Sequence, residues 1–269
     1  MAQSALFGRY WPGESPIHAL DPRMKLTGVV IAMVAIFLAQ GYAALGVGAL
    51  FVAAFFIVAR IPFGQAFKSI APLLFIVLLT AFLNLFFIQS GEVYAQAGPF
   101  VISQGGIDSA IFLSIRLTLL LLSASLLTLT TTSIDLTDAF ESMLKPFARF
   151  GFPAHEFAMV MGIALRFLPQ FMDELRTIRA AQLSRGAHVS ANPFHGGLQG
   201  LSSLMVPLFT SAFRHAETLS NGMDARCYHG GTGRTRLDPL AFSKRDVLAT
   251  AVLLFMVACV AATNILAAL

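Results

Sequence analysis

Long uncharged stretches divide the chain into segments that fit a lipid bilayer. No charged residue occurs from Thr27 to Ala59, a run that is too long for one helix and just long enough for two, and Gln40-Gly41 is a natural break. A helix needs about 20 apolar residues to cross the hydrocarbon core. Together with the later apolar runs, this pattern predicts five crossings, over residues 26–39, 42–59, 70–89, 109–131 and 247–267.

The composition agrees with a membrane protein. Of the 269 residues, 57% are hydrophobic and only 12% are charged, whereas soluble domains carry about a quarter charged residues. These figures exclude an intrinsically disordered chain and a nucleic-acid-binding tail. The predicted fold class is therefore all-α, a polytopic membrane helical bundle with about five crossings and a cytoplasmic domain of amphipathic helices.

The placement of Lys and Arg predicts the orientation. Basic residues precede the first predicted crossing and lie between the second and the third: Arg9, Arg23, Lys25, Arg60 and Lys68. The turn at residues 40–41 and the predicted loop at 90–108 contain neither Lys nor Arg. We therefore expect the N-terminus to lie in the cytoplasm.

Residues 135–246 have a different composition, because they hold 12 of the 18 Lys and Arg residues and 10 of the 14 Asp and Glu residues. Two apolar segments here, 157–171 and 196–213, fit half-buried interfacial helices better than crossings, since crossings would place the intervening arginines outside. Apolar spacing also predicts an amphipathic helix over 136–150, kinked at Pro146. We predict a membrane bundle at 1–134, a cytoplasmic domain at 135–245 and a final transmembrane helix at 246–269.

Two segments of this cytoplasmic domain resemble each other. Residues 165–186 and 205–228 each contain a Pro-x-Phe sequence, then an amphipathic helix, then an arginine between two small residues. The triplets are Ser184-Arg185-Gly186 and Ala225-Arg226-Cys227. A guanidinium suits an acidic groove on another protein, but arginines are also favoured at solvent-facing helix ends. Spacing alone leaves both interpretations open.

With one further motif, the whole chain resembles a known family. The segment GRYWPGESPIHALDPRMKL runs from Gly8 to Leu26, and its most diagnostic residues are Asp21, Pro22, Arg23 and Lys25. This segment and the two arginine triplets, in this order and spacing, resemble the transmembrane T component of energy-coupling factor (ECF) transporters. The pattern of the family that this chain resembles has alanine at the position of Ser184 and glycine at the position of Cys227. We therefore expect slightly altered packing at these two positions.

The resemblance implies a role in a multi-subunit importer of the prokaryotic plasma membrane. Such a T component lies between a membrane-embedded substrate-binding S component and two ABC ATPases, expected as a heterodimer. Each coupling arginine, Arg185 and Arg226, would dock into one ATPase, and ATP-driven motion would reach the S component for the uptake of vitamins or metal ions. The chain itself would be non-catalytic, and ATP would be bound by its partners.

The remaining residues give no competing chemistry. The glycine-rich segment at 230–235 lacks a P-loop, and the histidines form no HExxH motif, so we expect no catalytic, cofactor or metal site. Arg116 is the one charge inside a predicted crossing, where ionisable residues are functional candidates. Asp108 or Asn84 could pair with it, or it could fix helix packing. A self-contained secondary transporter is the alternative function, and an intramembrane enzyme is a second.

Overall fold

The computed structural model describes residues 11, 13, 15–88, 90–97, 100–144, 154–186, 198–230 and 242–268. These residues form eight helices and one hairpin. The helices and strands are α1 Pro22–Phe37, α2 Tyr42–Val58, α3 Phe63–Phe87, β1 Val93–Ala97, β2 Phe100–Ser103, α4 Gln104–Thr130, α5 Ser133–Leu144, α6 Ala154–Ser184, α7 Leu198–Asp224 and α8 Lys244–Ala268. The predicted all-α membrane fold is confirmed.

Capping residues place the helix starts earlier than hydropathy predicted. Asp21 caps α1 by accepting a hydrogen bond from the backbone N–H of Arg23 at 2.9 Å, with Pro22 in the first turn. Ser103 caps α4 in the same way, from the N–H of Gly106. Capping side chains satisfy the free N–H groups of the first helical turn. The helices therefore begin at these polar residues, four to five positions before the apolar runs.

The prediction of a loop over residues 90–108 is wrong for most of that range. Strands β1 and β2 pair antiparallel there, with Val93 opposite Ser103 and Ala97 opposite Phe100. The backbone N–H of Gln104 also donates to the carbonyl of Glu92 at 2.9 Å. Residues 104–108 then belong to α4. A short hairpin was not predicted because its residues lack a strict apolar–polar alternation.

Two compact units divide the chain, and the first contains residues 1–139 and 239–269. Its core lies where α1, α2, α4 and α8 pack together, around Ile36, Phe56, Leu129 and Met256. Helix α3 packs against α4. Many large apolar side chains on these helices point outward, including Phe87, which is 80% exposed. Such a surface suits lipid rather than water.

Three described helices are long and apolar enough to cross a membrane, and they are α3, α4 and α8. Helix α2 is apolar but has only 17 residues, and the 16-residue α1 carries Arg23 and Lys25. A membrane protein is therefore established. The number of crossings, predicted as five, stays a prediction.

The second unit contains residues 140–238, and its main elements are α6 and α7. The two apolar segments at 157–171 and 196–213 fall largely within these helices, each of which has a proline inside it, Pro169 or Pro207. Of the helix predicted over 136–150, α5 covers the part up to Leu144, and Pro146 lies outside the described residues.

Candidate functional site

The first arginine triplet forms the C-terminal cap of α6. The N–H of Arg185 donates to the carbonyls of Ala181 and Gln182 at 3.2 and 3.1 Å, and the N–H of Gly186 donates to Leu183 at 3.0 Å. Gly186 has a φ of 79°. A left-handed residue directly after a helix satisfies the last free carbonyls, and glycine adopts that conformation without a steric penalty.

The second triplet ends α7 in a similar way, since the residue after the arginine is again left-handed and again donates to the carbonyl three residues before it. The N–H of Tyr228 donates to the carbonyl of Met223 at 3.1 Å, and the N–H of Cys227 donates to Asp224 at 2.9 Å. These two bonds define a Schellman cap. Cys227 has a φ of 54°, which is a left-handed backbone conformation. This is the position at which the family pattern has glycine. Arg185 and Arg226 therefore occupy the same position, one residue before a left-handed turn.

Both guanidinium groups are available to a partner. Arg185 and Arg226 are exposed, as are the small residues beside them. Within the described residues, neither side chain forms an ion pair or hydrogen bond, whereas Arg176 on the same helix pairs with Asp173 at 3.0 Å. An unpaired arginine between small residues leaves its planar set of donors open to a carboxylate.

Helices α6 and α7 pack antiparallel, which separates the two arginines. Glu174 contacts Ser211, Gln170 contacts His215, and at the far end the hydroxyl of Tyr228 lies 3.0 Å from the sulfur of Met159. The end of α7 therefore lies beside the beginning of α6. Because α6 rises about 1.5 Å per residue, the two arginine caps lie roughly 30–40 Å apart, at opposite ends of the pair.

A polar cluster holds the two helices together, and sequence reasoning missed it. The Ser211 hydroxyl donates to Glu174, the ring of His215 lies 3.5 Å from the other Glu174 oxygen, and Gln170 lies 3.2 Å from that ring. The rings of Phe167 and Phe171 flank His215, with centroids 6.0 and 5.9 Å away. The available signal was a set of polar residues at helical spacing on the apolar face of α6.

The signature residues Asp21, Pro22, Arg23 and Lys25 have structural contacts. Beyond the Asp21 cap, the ammonium of buried Lys25 donates to the carbonyls of His18 and Thr130 at 2.8 and 3.1 Å. Arg23 lies 3.9 Å from the Asp21 carboxylate. Lys25 thereby joins the start of α1 to the end of α4, while Gly8 and Arg9 of the motif lie outside the described residues.

The segment before α1 is fixed by His18. Its Nε2 donates to the carbonyl of Trp11 at 3.0 Å, which leaves Nδ1 to accept from the Ser15 hydroxyl at 2.7 Å. Burial lowers the pKa of His18, a shift partly opposed by the hydrogen bond to Trp11. The lowered pKa favours the neutral ring, in which Nε2 is the donor and Nδ1 the acceptor of this pair of contacts.

Asp246, which sequence reasoning assigned only to the predicted end of the domain, joins both ends of this unit. It is 2% exposed, and its two oxygens accept from the N–H groups of Asp21 at 2.9 Å and Ser243 at 2.6 Å. One carboxylate thus caps α8 and fixes the residue that caps α1. The sequence feature that could have indicated this role is an acidic residue directly before an uncharged apolar run.

Arg116 binds the end of α1 rather than an acidic side chain. Its guanidinium donates to the carbonyl of Ala39 and lies 4.6 Å from the ring centroid of Phe112. Neither Asp108 nor Asn84 contacts it among the described residues. A cation near the C-terminus of a helix is stabilised by the helix dipole, so this geometry fits the helix-packing alternative.

The expectation that the chain holds no catalytic, cofactor or metal site stays a prediction. Among the described residues, no group of three or more His, Cys, Asp or Glu side chains is placed to hold a metal ion. His188, His195 and most of the glycine-rich segment at 230–235 lie outside those residues.

The fold defines a helical integral membrane protein with a separate amphipathic helix pair. The family described as cobalt transport protein (CbiQ) matches residues 13–237. The chain is also 40% identical over 257 residues to the energy-coupling factor transporter transmembrane protein EcfT of Brevibacillus brevis, covering 96% of this chain and 97% of that protein. The EcfT proteins of Acidaminococcus fermentans and Bacillus subtilis are 41% and 38% identical, over 94% and 91% of this chain and 94% and 93% of their own lengths. The chain therefore belongs to the EcfT family of transmembrane components of ECF transporters.

Proposed function

We propose that this chain is the coupling subunit of an ECF-type importer and that Arg185 and Arg226 each dock into one of two ABC ATPases. The observation that carries this proposal is the matched pair of helix caps, both exposed and both without a partner in the described residues. Two equivalent cationic tips at opposite ends of one helix pair suit two similar partner surfaces. Acidic grooves would satisfy each guanidinium with charge-assisted hydrogen bonds.

The α6–α7 contact supports a mechanical role. Glu174, Gln170, Ser211 and His215 join the helices through several polar contacts near their middle. A pull on either cap therefore acts on both helices, because the polar contacts resist sliding of one helix along the other. In the proposal, movement of the ATPases on binding ATP travels through this pair to the membrane-embedded S component.

The orientation and the domain limits belong to the same proposal. Residues 135–245 form the cytoplasmic coupling domain, and the N-terminus lies in the cytoplasm of a prokaryotic cell. The positive-inside distribution of Lys and Arg supports this orientation. The S component selects the transported vitamin or metal ion, ATP is bound and hydrolysed by the partner ATPases, and this chain is not an enzyme.

A double charge reversal tests the coupling role. Arg185→Glu with Arg226→Glu places two acids opposite acidic grooves, and losing such a buried pair costs about 2–5 kcal/mol at each contact. Binding to the ATPases should weaken at least about 30-fold per contact. The measurement is the amount of ATPase that co-purifies with the tagged chain in detergent, together with substrate uptake by cells.

Arg179→Glu is the matched control, since Arg179 is an exposed arginine on the same helix but away from its cap. This variant should retain the ATPases and transport, and all variants should insert in the membrane in equal amounts. Full transport by the double variant would refute the coupling role. Substrate flux through this chain alone in liposomes would favour the secondary transporter instead.

A further inference from the structure

An apolar groove in the first unit has no role in the coupling proposal. Helices α1, α2, α4 and α8, with the segment before α1, line this groove, which has a volume of about 370 Å³. Its lining is almost wholly aliphatic and aromatic and includes Gly28, Leu50, Val58, Leu248 and Val252. Ligand-binding clefts range from about 300 to 1,000 Å³. A polar ligand would leave its hydrogen-bonding groups unpaired here, so the lining favours a hydrocarbon chain.

The groove is open to the outer surface of the helices. Leu50 and Leu248, on α2 and α8, are 67% and 68% exposed although they line the groove. Val58 at the end of α2 is also exposed. In a membrane protein this surface faces acyl chains, so a lipid can enter the groove sideways from the bilayer.

Basic side chains surround one end of the groove. Arg60 follows Val58 by two residues, and Lys244 and Arg245 precede Leu248 by four and three. The rings of Phe51 and Phe255 contact each other with centroids 6.1 Å apart. Because α2 and α8 are antiparallel, Arg60 and Arg245 both lie about 14–15 Å from that contact along the helices, at the same level.

Among the described residues, no acid forms an ion pair with this rim. Arg60, Lys244 and Arg245 are exposed and form no ion pair within the described residues. The nearby carboxylates of Asp21 and Asp246 are buried and accept backbone N–H groups. These two carboxylates remain charged, but the three cations Arg60, Lys244 and Arg245 outnumber them. The rim therefore has a net positive charge and attracts an anion at the level where a lipid headgroup would lie.

Arg60 occupies a backbone position that disfavours it. Its φ is 56°, its N–H donates to Ile57 at 3.0 Å, and the N–H of Ile61 donates to Phe56 at 3.2 Å. These bonds form a Schellman cap, in which the left-handed residue is usually glycine. Glycine would adopt this backbone conformation without strain. The presence of arginine here is therefore a reason to look for a function of the Arg60 side chain.

We propose that this groove binds one acyl chain of an anionic phospholipid, with the lipid phosphate at the rim formed by Arg60, Lys244 and Arg245. The apolar groove supplies affinity for the chain, since each buried methylene contributes to binding. The cationic rim selects an anionic headgroup over a zwitterionic one. The lipid fills the space between α1, α2 and α8 and stabilises the packing of the bundle.

The experiment compares two lipids added to the delipidated full-length chain in detergent. Phosphatidylglycerol should raise the melting temperature at lower concentration than phosphatidylcholine of the same acyl chains, because a ligand that binds the folded state stabilises it. Native mass spectrometry should find one bound phosphatidylglycerol. Combining Arg60→Gly with Lys244→Gln and Arg245→Gln should raise the half-maximal phosphatidylglycerol concentration at least fivefold.

Two glycines provide a matched pair of groove variants. A side chain at Gly28 enters the groove, with Leu253 3.8 Å from the new Cβ, whereas Gly46 has no atom within 4 Å and does not line the groove. Gly28→Leu should abolish the stabilisation by phosphatidylglycerol and Gly46→Leu should retain it. Arg60→Gly alone should melt no lower than the wild type without lipid, so weaker phosphatidylglycerol binding by this single variant would not reflect misfolding.

Three results would overturn the proposal. The first is equal stabilisation by the two lipids. The second is unchanged phosphatidylglycerol binding by Gly28→Leu or by the triple rim variant. The third is a loss of assembly with partner subunits in Gly28→Leu that is the same with and without phosphatidylglycerol, since the groove would then be a site for a partner helix.

Discussion

Replacing Cys227 by glycine should stabilise the end of α7, although it removes a side chain. Cys227 is exposed, so its side chain has few packing contacts to lose. Its φ of 54° lies in the left-handed region, which costs an ordinary residue about 1–2 kcal/mol. Glycine avoids this penalty but has more freedom in the unfolded chain, worth about 0.4–1 kcal/mol. The midpoints of these two ranges differ by about 0.8 kcal/mol, so we expect a net gain of about 0.5–1 kcal/mol.

Amide hydrogen exchange measures this gain locally. The N–H groups of Cys227 and Tyr228 donate to Asp224 and Met223, so they exchange only when the last turn of α7 opens. A gain of about 0.5–1 kcal/mol corresponds to roughly two- to fivefold slower exchange, since 1.4 kcal/mol is a factor of ten. Exchange in the middle of α7 should not change.

Two further substitutions between alanine and glycine are controls, because each should destabilise a helix end rather than stabilise it. Ala225 directly follows α7 and continues its hydrogen bonding, since its N–H donates to Asn221 at 3.0 Å. Ala225→Gly should speed exchange about fivefold, because glycine costs about 1 kcal/mol in a helix. Gly186→Ala forces a side chain into a φ of 79° and should weaken the α6 cap. Faster exchange in Cys227→Gly would refute the view that the left-handed backbone strains this position.

Two other predictions concern stability and orientation. Asp246→Asn leaves one of two buried N–H donors facing an amide NH₂ group, so it should cost about 1–3 kcal/mol of stability and lower the melting temperature. The control is Asp224→Asn, at an exposed position, which should not lower the melting temperature. Equal melting temperatures of the two variants would contradict the role of the buried carboxylate. With Cys259→Ala, the native Cys227 should react with an impermeant maleimide only after permeabilisation, whereas a cysteine at Gln96 should react in intact cells. The reverse labelling pattern would invert the proposed orientation.

Hydropathy predicted the helices of the first unit well because a bilayer leaves the chain few choices. Each of the five runs predicted as crossings lies largely within a helix, with a break at Gln40-Gly41, since unsatisfied backbone groups are excluded from lipid. The helix starts were less accurate because capping residues such as Asp21 and Ser103 are polar and lie outside the apolar windows. The β1–β2 hairpin has no such constraint and was missed.

The contacts of the charged residues could not be predicted from the sequence. Sequence reasoning offered Asp108 and Asn84 to Arg116, but the structure pairs it with the carbonyl of Ala39. Every residue carries a carbonyl, so such an acceptor leaves no trace in the sequence. Lys25 likewise binds backbone carbonyls, and only the packing of the helices decides which ones.

The polar cluster between α6 and α7 connects fold and proposed function. Glu174 and Ser211 are distant in sequence, so their contact depends on the antiparallel packing of the two helices. That packing also places Arg185 and Arg226 at opposite ends, although each cap is formed by local bonds alone. The local sequence therefore determines the structure of each arginine cap, and the contact between α6 and α7 determines the distance between the two caps. In the proposed function, a pair of partners that binds both arginines at once must match that distance, so the proposal assigns the cluster a part in coupling beside the arginines.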